Sequence, residues 1–208
     1  MGTRSDEATP VWGIEAGCGT IRAVRVRRGS EGGFFLLDFV EAETEANGPE
    51  ALLAFLRRRG IVGHPMVVAL RSPTAHLTGA APSAEEDSYG PEELRGELLE
   101  HVHPEPEEIE FGHYREEGGN HIIVSEDRQL LESYIAALET AEVPAYALVS
   151  SLDALVALLR RNGLFEGDGV LVRVEPRWTD VVFLDRSGVG HQGLPAGSED
   201  LEDEAMRA

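Results

Sequence analysis

The sequence contains no lysine, and its eighteen basic residues, all arginines, are outnumbered by thirty-eight acidic ones. A chain without lysine cannot carry the lysine of a P-loop, a kinase-type phosphate contact or a Schiff base to pyridoxal phosphate. The formal net charge of -20 repels the phosphate backbone of nucleic acids, because such binding depends largely on basic residues. We therefore expect neither nucleic acid nor an anionic membrane as a direct partner. The acidity serves either solubility or the recruitment of a basic partner.

Cysteine and long apolar segments are also scarce. Cys18 is the single cysteine, which excludes an intramolecular disulfide framework and a multi-cysteine zinc site. The longest apolar runs, such as MVVAL at 66–70, are far shorter than the roughly 20 residues that span a bilayer. The N-terminal segment MGTRSDEATP is polar. These features predict a cytoplasmic protein without an export signal and without direct membrane insertion.

The 208 residues, 42% of them hydrophobic, are enough for one domain or two small ones with a real core. Apolar patterning over residues 11–44 predicts three strands joined by short turns in an antiparallel meander. A helix follows, with Pro49 in its first turn and Gly60 at its end, and then a buried strand within HPMVVALRSP at 64–73 that Pro73 stops. Mixed α/β structure is the result.

Composition shifts at about residue 79, where a connector rich in proline, glycine and acids begins. The following segment predicts a helix at 91–102, two strands, and a helix that Ser125 can cap. A strand at 145–149, a helix ended by Gly163 and two or three strands over 169–193 complete the chain. The order of these elements is that of an α/β domain with an insertion.

Residues 13–20 (GIEAGCGT) combine a buried strand end, glycines and a hydroxyl. Glycines let backbone N–H groups converge on a phosphate without a Cβ in the way, and a hydroxyl adds one more donor. The candidate donors are Gly17, Gly19 and Thr20, and the loop also contains Glu15 and Cys18. The alternative is a tight hairpin turn that binds no ligand.

This loop resembles the first phosphate loop of the actin-like ATPases, and more closely the opening of PilM, the FtsA-like protein of type IV pilus assembly, whose pattern is Gly-Leu-Asp-Ile-Gly-Ser-Ser-Ser-Ile-Lys-Ala-Val. Four later segments resemble that family in the same order, so that the likeness extends over residues 11 to 205. They are VVALRSP, PEELRGELLEHVHPEPEEIEFGHY, SEDRQLLESYIAALETAEVPAYALVSSLDALVALLRR and LPAGSEDLEDEA.

The resemblance implies an actin-like, ribonuclease H-like fold: a mixed five-stranded sheet with helices and a small inserted α+β subdomain. Under it, residues 1–10 are a polar tail, 11–79 and 144–208 form a discontinuous main subdomain, and 80–143 form the acidic insert. The opening hairpin and the hairpin that contains Trp178 are then expected in the same sheet.

The second phosphate loop of the resembled family reads roughly Val-Asp-Ile-Gly-Ala-Ser-Ser-Thr, whereas this chain has VRVEPRWTDVVF at 172–183. Arg173 stands for the aspartate, Glu175 for the glycine and Trp178 for a serine. A carboxylate opposes a polyphosphate, Pro176 removes a donor and Trp178 adds bulk. In the first loop, Glu15 replaces an aspartate that helps to hold a metal through water, and its extra methylene displaces the carboxylate. These departures predict a vestigial site with no cofactor, and bound Mg-ATP is the alternative.

The function implied is a non-catalytic cytoplasmic adaptor in a type IV pilus or related secretion assembly, recruited to the inner face of the inner membrane. In the resembled family, a cytoplasmic peptide of the membrane protein PilN docks between main domain and insert, and an acidic insert favours basic residues in such a peptide. Three alternatives stay open: an ATPase whose second lobe is missing or supplied elsewhere, a GspL-like cytoplasmic domain of type II secretion, and FtsA-like self-association.

Four histidines invite a metal-binding interpretation. His101 and His103 are two residues apart, which points them to different sides of a helix, whereas metal-binding pairs on helices sit three or four apart. His113 and His121 lie on predicted strands among acidic residues. We expect all four to be surface histidines and predict no metal site.

Overall fold

The computed structural model describes residues 9–29, 33–44, 48–80, 96, 108–115, 121–164, 168–184 and 188–198. Eleven strands and three helices lie in these ranges. The strands are β1 (Val11–Gly17), β2 (Thr20–Arg28), β3 (Phe34–Glu43), β4 (Met66–Leu70), β5 (His76–Ala80), β6 (Ile109–Arg115), β7 (His121–Asp127), β8 (Ala145–Ser150), β9 (Gly169–Val174), β10 (Thr179–Leu184) and β11 (Gly188–Leu194). The helices are α1 (Pro49–Arg59), α2 (Arg128–Thr140) and α3 (Ser151–Arg161). Within the described part of the chain, no helix is both long and apolar enough to cross a bilayer.

The chain divides into two compact units. The first unit contains Met1–Ser72 and Leu130–Ser151, and the second contains Pro73–Gln129 and Leu152–Ala208. Each unit holds one sheet.

The first unit contains a mixed five-stranded sheet in the order β3-β2-β1-β4-β8. Strands β1, β2 and β3 form the predicted antiparallel meander, while β4 is parallel to both β1 and β8. The mixed five-stranded sheet and the α/β class are therefore confirmed. Parallel neighbours are separated in sequence by long connections, as parallel pairing requires.

Alternation in β1 sends every second side chain into the core of the first unit. Helix α1 buries Leu52, Phe55 and Leu56 in the same core, and α2 adds Tyr134 and Leu138. Each such side chain stabilises the fold by about 1.5 to 3 kcal/mol when it is fully buried. The hydrophobic stripe on each helix therefore supports the sheet that carries the candidate site.

The ends of α1 match the prediction. Pro49 lies in the first turn, and Gly60 adopts the left-handed conformation at φ 66° and ends the helix. The start of α2 was predicted less well. Ser125 is a buried residue of β7, and α2 begins at Arg128, so Ser125 is not its N-cap.

The second unit contains a six-stranded sheet in the order β6-β7-β5-β11-β10-β9. Its core includes Leu77 of β5, Ile122 of β7, Leu152 and Val156 of α3, and Val182 of β10. Strands β9, β10 and β11 form an antiparallel meander that joins the rest of the sheet where β11 pairs with β5.

The opening hairpin and the Trp178 hairpin thus lie in different sheets, and the expectation that they share one is wrong. The physical reason is β5, a short strand that sequence reasoning missed, which pairs with both β7 and β11. The proposed split into tail, discontinuous main subdomain and insert otherwise stays a prediction. Most of the connector and the helix expected at 91–102 fall outside the described residues, apart from Gly96.

Candidate functional site

The predicted first phosphate loop is a two-residue hairpin turn between β1 and β2. Gly17 pairs with Thr20 across the hairpin, which leaves Cys18 and Gly19 as the central residues. Both have positive φ, 57° for Cys18 and 75° for Gly19, as a type I′ turn requires. Positive φ in a residue with a side chain costs on the order of 1 kcal/mol, so surrounding contacts must hold Cys18 in place.

Arg71, the residue that follows β4, supplies those contacts. Its backbone N–H donates to the carbonyl of Ala16 at 2.8 Å, and its Nη2 donates to the carbonyl of Gly17 at 2.9 Å. The Cys18 thiol lies 3.5 Å from the Arg71 carbonyl oxygen and donates to it. The Arg71 side chain is almost completely buried. A buried guanidinium therefore ties the turn to the end of β4.

Gly17 is a glycine because the Arg71 backbone comes so close. A Cβ at this position would lie 2.1 Å from the Arg71 carbonyl oxygen, and the φ of Gly17 is 139°. The same glycine that suggested a phosphate cradle thus makes room for the backbone of the protein itself.

Glu15 is held by three side chains of the first unit. One carboxylate oxygen accepts a hydrogen bond from the Ser151 hydroxyl. The other accepts one from Arg22 Nη1 at 3.1 Å and lies 3.9 Å from Arg71 Nη1. Burial alone would raise the pKa of Glu15, but the Ser151 hydrogen bond and the charges of Arg71 and Arg22 outweigh burial and lower it. Both oxygens of Glu15 already accept hydrogen bonds from protein side chains, so this carboxylate is poorly placed to hold a metal ion through water.

The predicted second phosphate loop is the β9–β10 connection, and its substituted residues form a buried polar cluster around Asp180. The Asp180 side chain, 1% exposed, accepts hydrogen bonds from Arg173 Nε at 2.8 Å and Trp178 Nε1 at 3.2 Å on the same oxygen. Its other oxygen lies 3.0 Å from His191 Nε2, which donates in the tautomer protonated there. Burial would raise the pKa of Asp180, but these donors and the Arg173 charge lower it.

The turn of this hairpin is covered by the segment that follows β11. Ser198 N–H donates to the Glu175 carbonyl at 2.9 Å, and the Thr179 hydroxyl donates to the Ala196 carbonyl at 2.8 Å. A Cβ on Gly197 would lie 2.3 to 2.4 Å from backbone atoms of Glu175, Pro176 and Arg177. The backbone of the turn therefore packs against protein backbone on this side, where a phosphate cradle would need open N–H groups.

The structure brings Glu15, Gly17 and Cys18 together. Their contacts are with Arg71 and Ser151, two residues that sequence reasoning missed. Gly19 and Thr20 complete the turn and the first pair of β2. A lone arginine after an apolar strand gives little signal. The sequence contains one indication of this role. Arg71 directly follows the apolar run MVVAL, so its backbone was expected at the end of a buried strand.

Of the histidines, His101 and His103 fall outside the described residues. His113 and His121 lie on neighbouring strands with Nε2 and Nδ1 3.1 Å apart, a hydrogen-bonded pair. In the ranges that the structure describes, no group of three or more His, Cys, Asp or Glu side chains is placed to hold a metal ion.

No protein-family model matches the sequence, and no curated protein does either. Solved structures do match. A chain of the PilM-PilN type IV pilus biogenesis complex superposes with a TM-score of 0.69 at 18% identity over 95% of this chain. The chain spans 65% of that protein, so just under two thirds of its length.

Two further structures are similar. The cytoplasmic domain of EpsL, an inner-membrane component of the type II secretion system of Vibrio cholerae, gives a TM-score of 0.58 at 14% identity, over 95% of this chain and 75% of that one. A Bacteroides thetaiotaomicron protein with actin-like ATPase fold and unknown function gives 0.62 at 12% identity, over 100% and 78%. At these identities the likeness shows the fold alone, and this chain has an actin-like fold similar to that of PilM.

Proposed function

We propose that this chain is a non-catalytic cytoplasmic adaptor in a pilus or secretion assembly of the inner membrane. In this role it binds the cytoplasmic tail of a membrane protein, as a PilN-like partner would provide. The fold likeness to a chain of the PilM-PilN complex and to the EpsL cytoplasmic domain supports the kind of assembly.

The hydrogen bonds of Glu15 to other side chains of the protein are the observation that supports a non-catalytic role. In an actin-like nucleotide site this position helps to hold the metal, but here Ser151 and Arg22 donate to its two oxygens. The residues present do not fit a Mg-triphosphate. The backbone of Arg71 packs against Gly17, and the backbone of Gly197 packs against the turn of the second hairpin, where a phosphate would need open space.

The charge of the chain supports a basic partner. A net charge of -20 accelerates encounter with a positively charged peptide and disfavours acidic competitors. A tail with arginine or lysine would match the negative charge, and a few apolar side chains beside them would anchor it.

Calorimetric titration with Mg-ATP tests the non-catalytic part. We expect no binding with a Kd below about 1 mM, which corresponds to less than about 4 kcal/mol of binding free energy. Micromolar binding would discard the adaptor proposal in favour of an ATPase whose second lobe is supplied elsewhere.

The partner is tested separately with synthetic peptides. They copy the cytoplasmic tails of the membrane proteins encoded beside the gene, and each is paired with a scrambled version of the same composition. Saturable binding of one tail, weakened by salt and absent for its scrambled version, is the expected result. Equal binding of tail and scrambled peptide would reduce the interaction to non-specific charge attraction and contradict the proposal.

A further inference from the structure

Strand β3 is an edge strand of the five-stranded sheet and is unusually apolar on its surface. Five of its large hydrophobic side chains are 43% to 66% exposed: Phe34, Phe35, Leu36, Leu37 and Phe39. An edge strand presents unpaired backbone N–H and C=O groups, and natural proteins usually keep such edges short or charged. A ten-residue edge with this much exposed apolar surface indicates an interaction site.

The exposed side chains project from both faces of the sheet. Leu36 pairs with Val26 and Phe39 pairs with Val24, so Leu36 and Phe39 share the face of these two valines. On the other face, the Arg27 guanidinium lies 5.8 Å from the centre of the Phe35 ring. The register shifts between Arg25 and Val26, so that Leu37 is an extra residue of β3 with no partner in β2. A strand added at this edge would therefore find apolar contacts on both faces.

The same strand carries three exposed carboxylates, Asp38, Glu41 and Glu43. Arg22 Nε lies 3.4 Å from Glu41, and Asp38 accepts the N–H of Phe39 at 2.9 Å. Within the described part of the chain, Asp38 and Glu43 have no cation at ion-pair distance. The free edge thus offers negative charge next to apolar side chains.

Strand β2 shows which chemistry fits β3. On the paired edge, Arg22 lies opposite Glu41, Arg25 opposite Asp38, and Val24 opposite Phe39. Its sequence, TIRAVRVRR, places both apolar and basic residues on each face of the strand. Opposite charges and apolar pairs directly across a sheet each contribute about 0.2 to 1 kcal/mol.

A second copy of β3 fits the edge badly. Full-length antiparallel pairing of two β3 strands would place Phe34 opposite Glu43 and Leu36 opposite Glu41. In-register parallel pairing would place each carboxylate beside its own copy, and both chains carry a net charge of -20.

We propose that the free edge of β3 binds an extended segment of another protein that carries apolar and basic residues on both of its faces, as β2 does. The segment adds a sixth, antiparallel strand to this sheet by β-augmentation. Main-chain hydrogen bonds supply affinity, and the apolar side chains with Asp38 and Glu43 supply selectivity. This surface is independent of the tail-binding role proposed above and does not require the pilus or secretion assignment.

The probe is a fluorescein-labelled peptide with the sequence of residues 20–28, TIRAVRVRR, because this sequence is already complementary to β3. Its matched control is the same peptide with every arginine replaced by glutamate. Fluorescence anisotropy should show saturable binding of the basic peptide that weakens as salt is added, and no binding of the acidic one. Hydrogen exchange should show new protection at residues 34–43.

Two variants of the full chain locate the site. Leu36→Lys adds a repelling charge at an exposed position and should weaken peptide binding at least tenfold. Tyr146→Lys is the control, since Tyr146 is 69% exposed on β8, the opposite edge of the same sheet, and this change should leave binding unaltered. Circular dichroism checks that both variants fold.

Three outcomes would overturn the proposal. Absence of saturable binding, or equal effects of both variants, would remove β3 as the site. Loss of protection in β2 when peptide is added would mean that the peptide replaces β2 instead of extending the sheet. Sedimentation of the free chain as a dimer that Leu36→Lys dissociates would make a second copy the occupant.

Discussion

Arg71 donates a hydrogen bond from Nη2 to the carbonyl oxygen of Gly17 at 2.9 Å, from a side chain with almost no contact with solvent. A buried cation beneath a glycine turn is what a phosphate site would be expected to use. Here the cation is directed at the turn itself and at Glu15, which lies 3.9 Å from Nη1. The loop is consequently held in shape by the same charge that would have attracted an anion.

Replacing Arg71 by methionine should destabilise the first unit by about 2 to 3 kcal/mol. The change leaves the Gly17 carbonyl and part of the Glu15 charge without their donor, and hydrogen bonds that involve a charged group contribute about that much. Each unit contains one of the two tryptophans, Trp12 and Trp178, so urea unfolding followed in a Trp178→Phe background reports the first unit alone.

The matched control for Arg71 is Arg22→Met. Arg22 also contacts Glu15, but its side chain is 44% exposed, so the pair contributes no more than about 1 kcal/mol. Equal losses for the two arginines would show that Arg71 is not the anchor of the turn.

Gly17→Ala should destabilise the first unit by at least about 2 kcal/mol, because the new Cβ would lie 2.1 Å from the Arg71 carbonyl oxygen at a φ of 139°. Gly33→Ala provides the comparison, since a Cβ there has no neighbour within 4 Å. Urea unfolding with the Trp12 readout gives both values. A Gly17→Ala variant as stable as Gly33→Ala would mean that the turn relaxes freely and that the close approach of Arg71 is not a constraint.

The sequence predicted most of the elements of the first unit because their signals are local. Pro49 and Gly60 mark the ends of α1, and alternation in β1 and β2 marks the hairpin. Ser125 was misassigned because a serine before a helical stripe is equally compatible with a buried strand end, and the choice depends on pairing with Phe111 of β6. Strand β5 was missed because HLTGA is short and contains a glycine, so only its two partners in the sheet define it.

The site was predictable in its turn but not in its contacts. A tight hairpin turn was one of the two interpretations of GIEAGCGT, but the positive φ of Cys18 was not predicted, because a residue with a side chain rarely adopts it. The bond from Ser151 to Glu15 joins residues 136 positions apart, and no local pattern encodes such a contact. Likewise, Arg173 and Trp178 were interpreted only as departures from a phosphate-binding loop. In the structure, both side chains donate hydrogen bonds to Asp180.

Asp180→Asn should destabilise the second unit by about 3 kcal/mol at neutral pH. The amide keeps the size of the side chain but removes the nearer of the two carboxylates beside Arg173, at 2.7 Å against 3.7 Å for Glu175, and breaking a largely buried pair by removing one partner is costly. Unfolding is followed through Trp178 in a Trp12→Phe background. Asp168→Asn, at an exposed position of the same unit, is the control and should change stability by less than about 0.5 kcal/mol.

The pH dependence of the Asp180 effect has a definite sign. The folded pKa of Asp180 lies below the unfolded value of 3.8, so its carboxylate stabilises the fold above that pH and the contribution is lost as pH falls through the folded pKa. The cost of Asp180→Asn should therefore shrink below about pH 3.8. A cost that stays constant into acid would show that shape and not charge holds the cluster.

His76 gives a second, separate pH dependence in the same unit. Its ring lies 5.5 Å from that of His191, edge to face. Burial and the His191 charge lower the pKa of His76 from 6.5, against an opposing effect of Asp180. Because the unfolded chain then binds more protons than the folded one, stability of the second unit should fall as pH drops below about 6.5, until the folded pKa is passed.

His76→Gln should flatten this slope, because it removes the group whose pKa the fold lowers. The measurement is urea unfolding through Trp178 at pH values from 7.5 down to 5, a window above the one in which Asp180 acts. Because the Asp180 carboxylate stays ionised throughout that window, any slope that His76→Gln removes belongs to the imidazole alone. A slope that survives His76→Gln would contradict its assignment to the His76 imidazole.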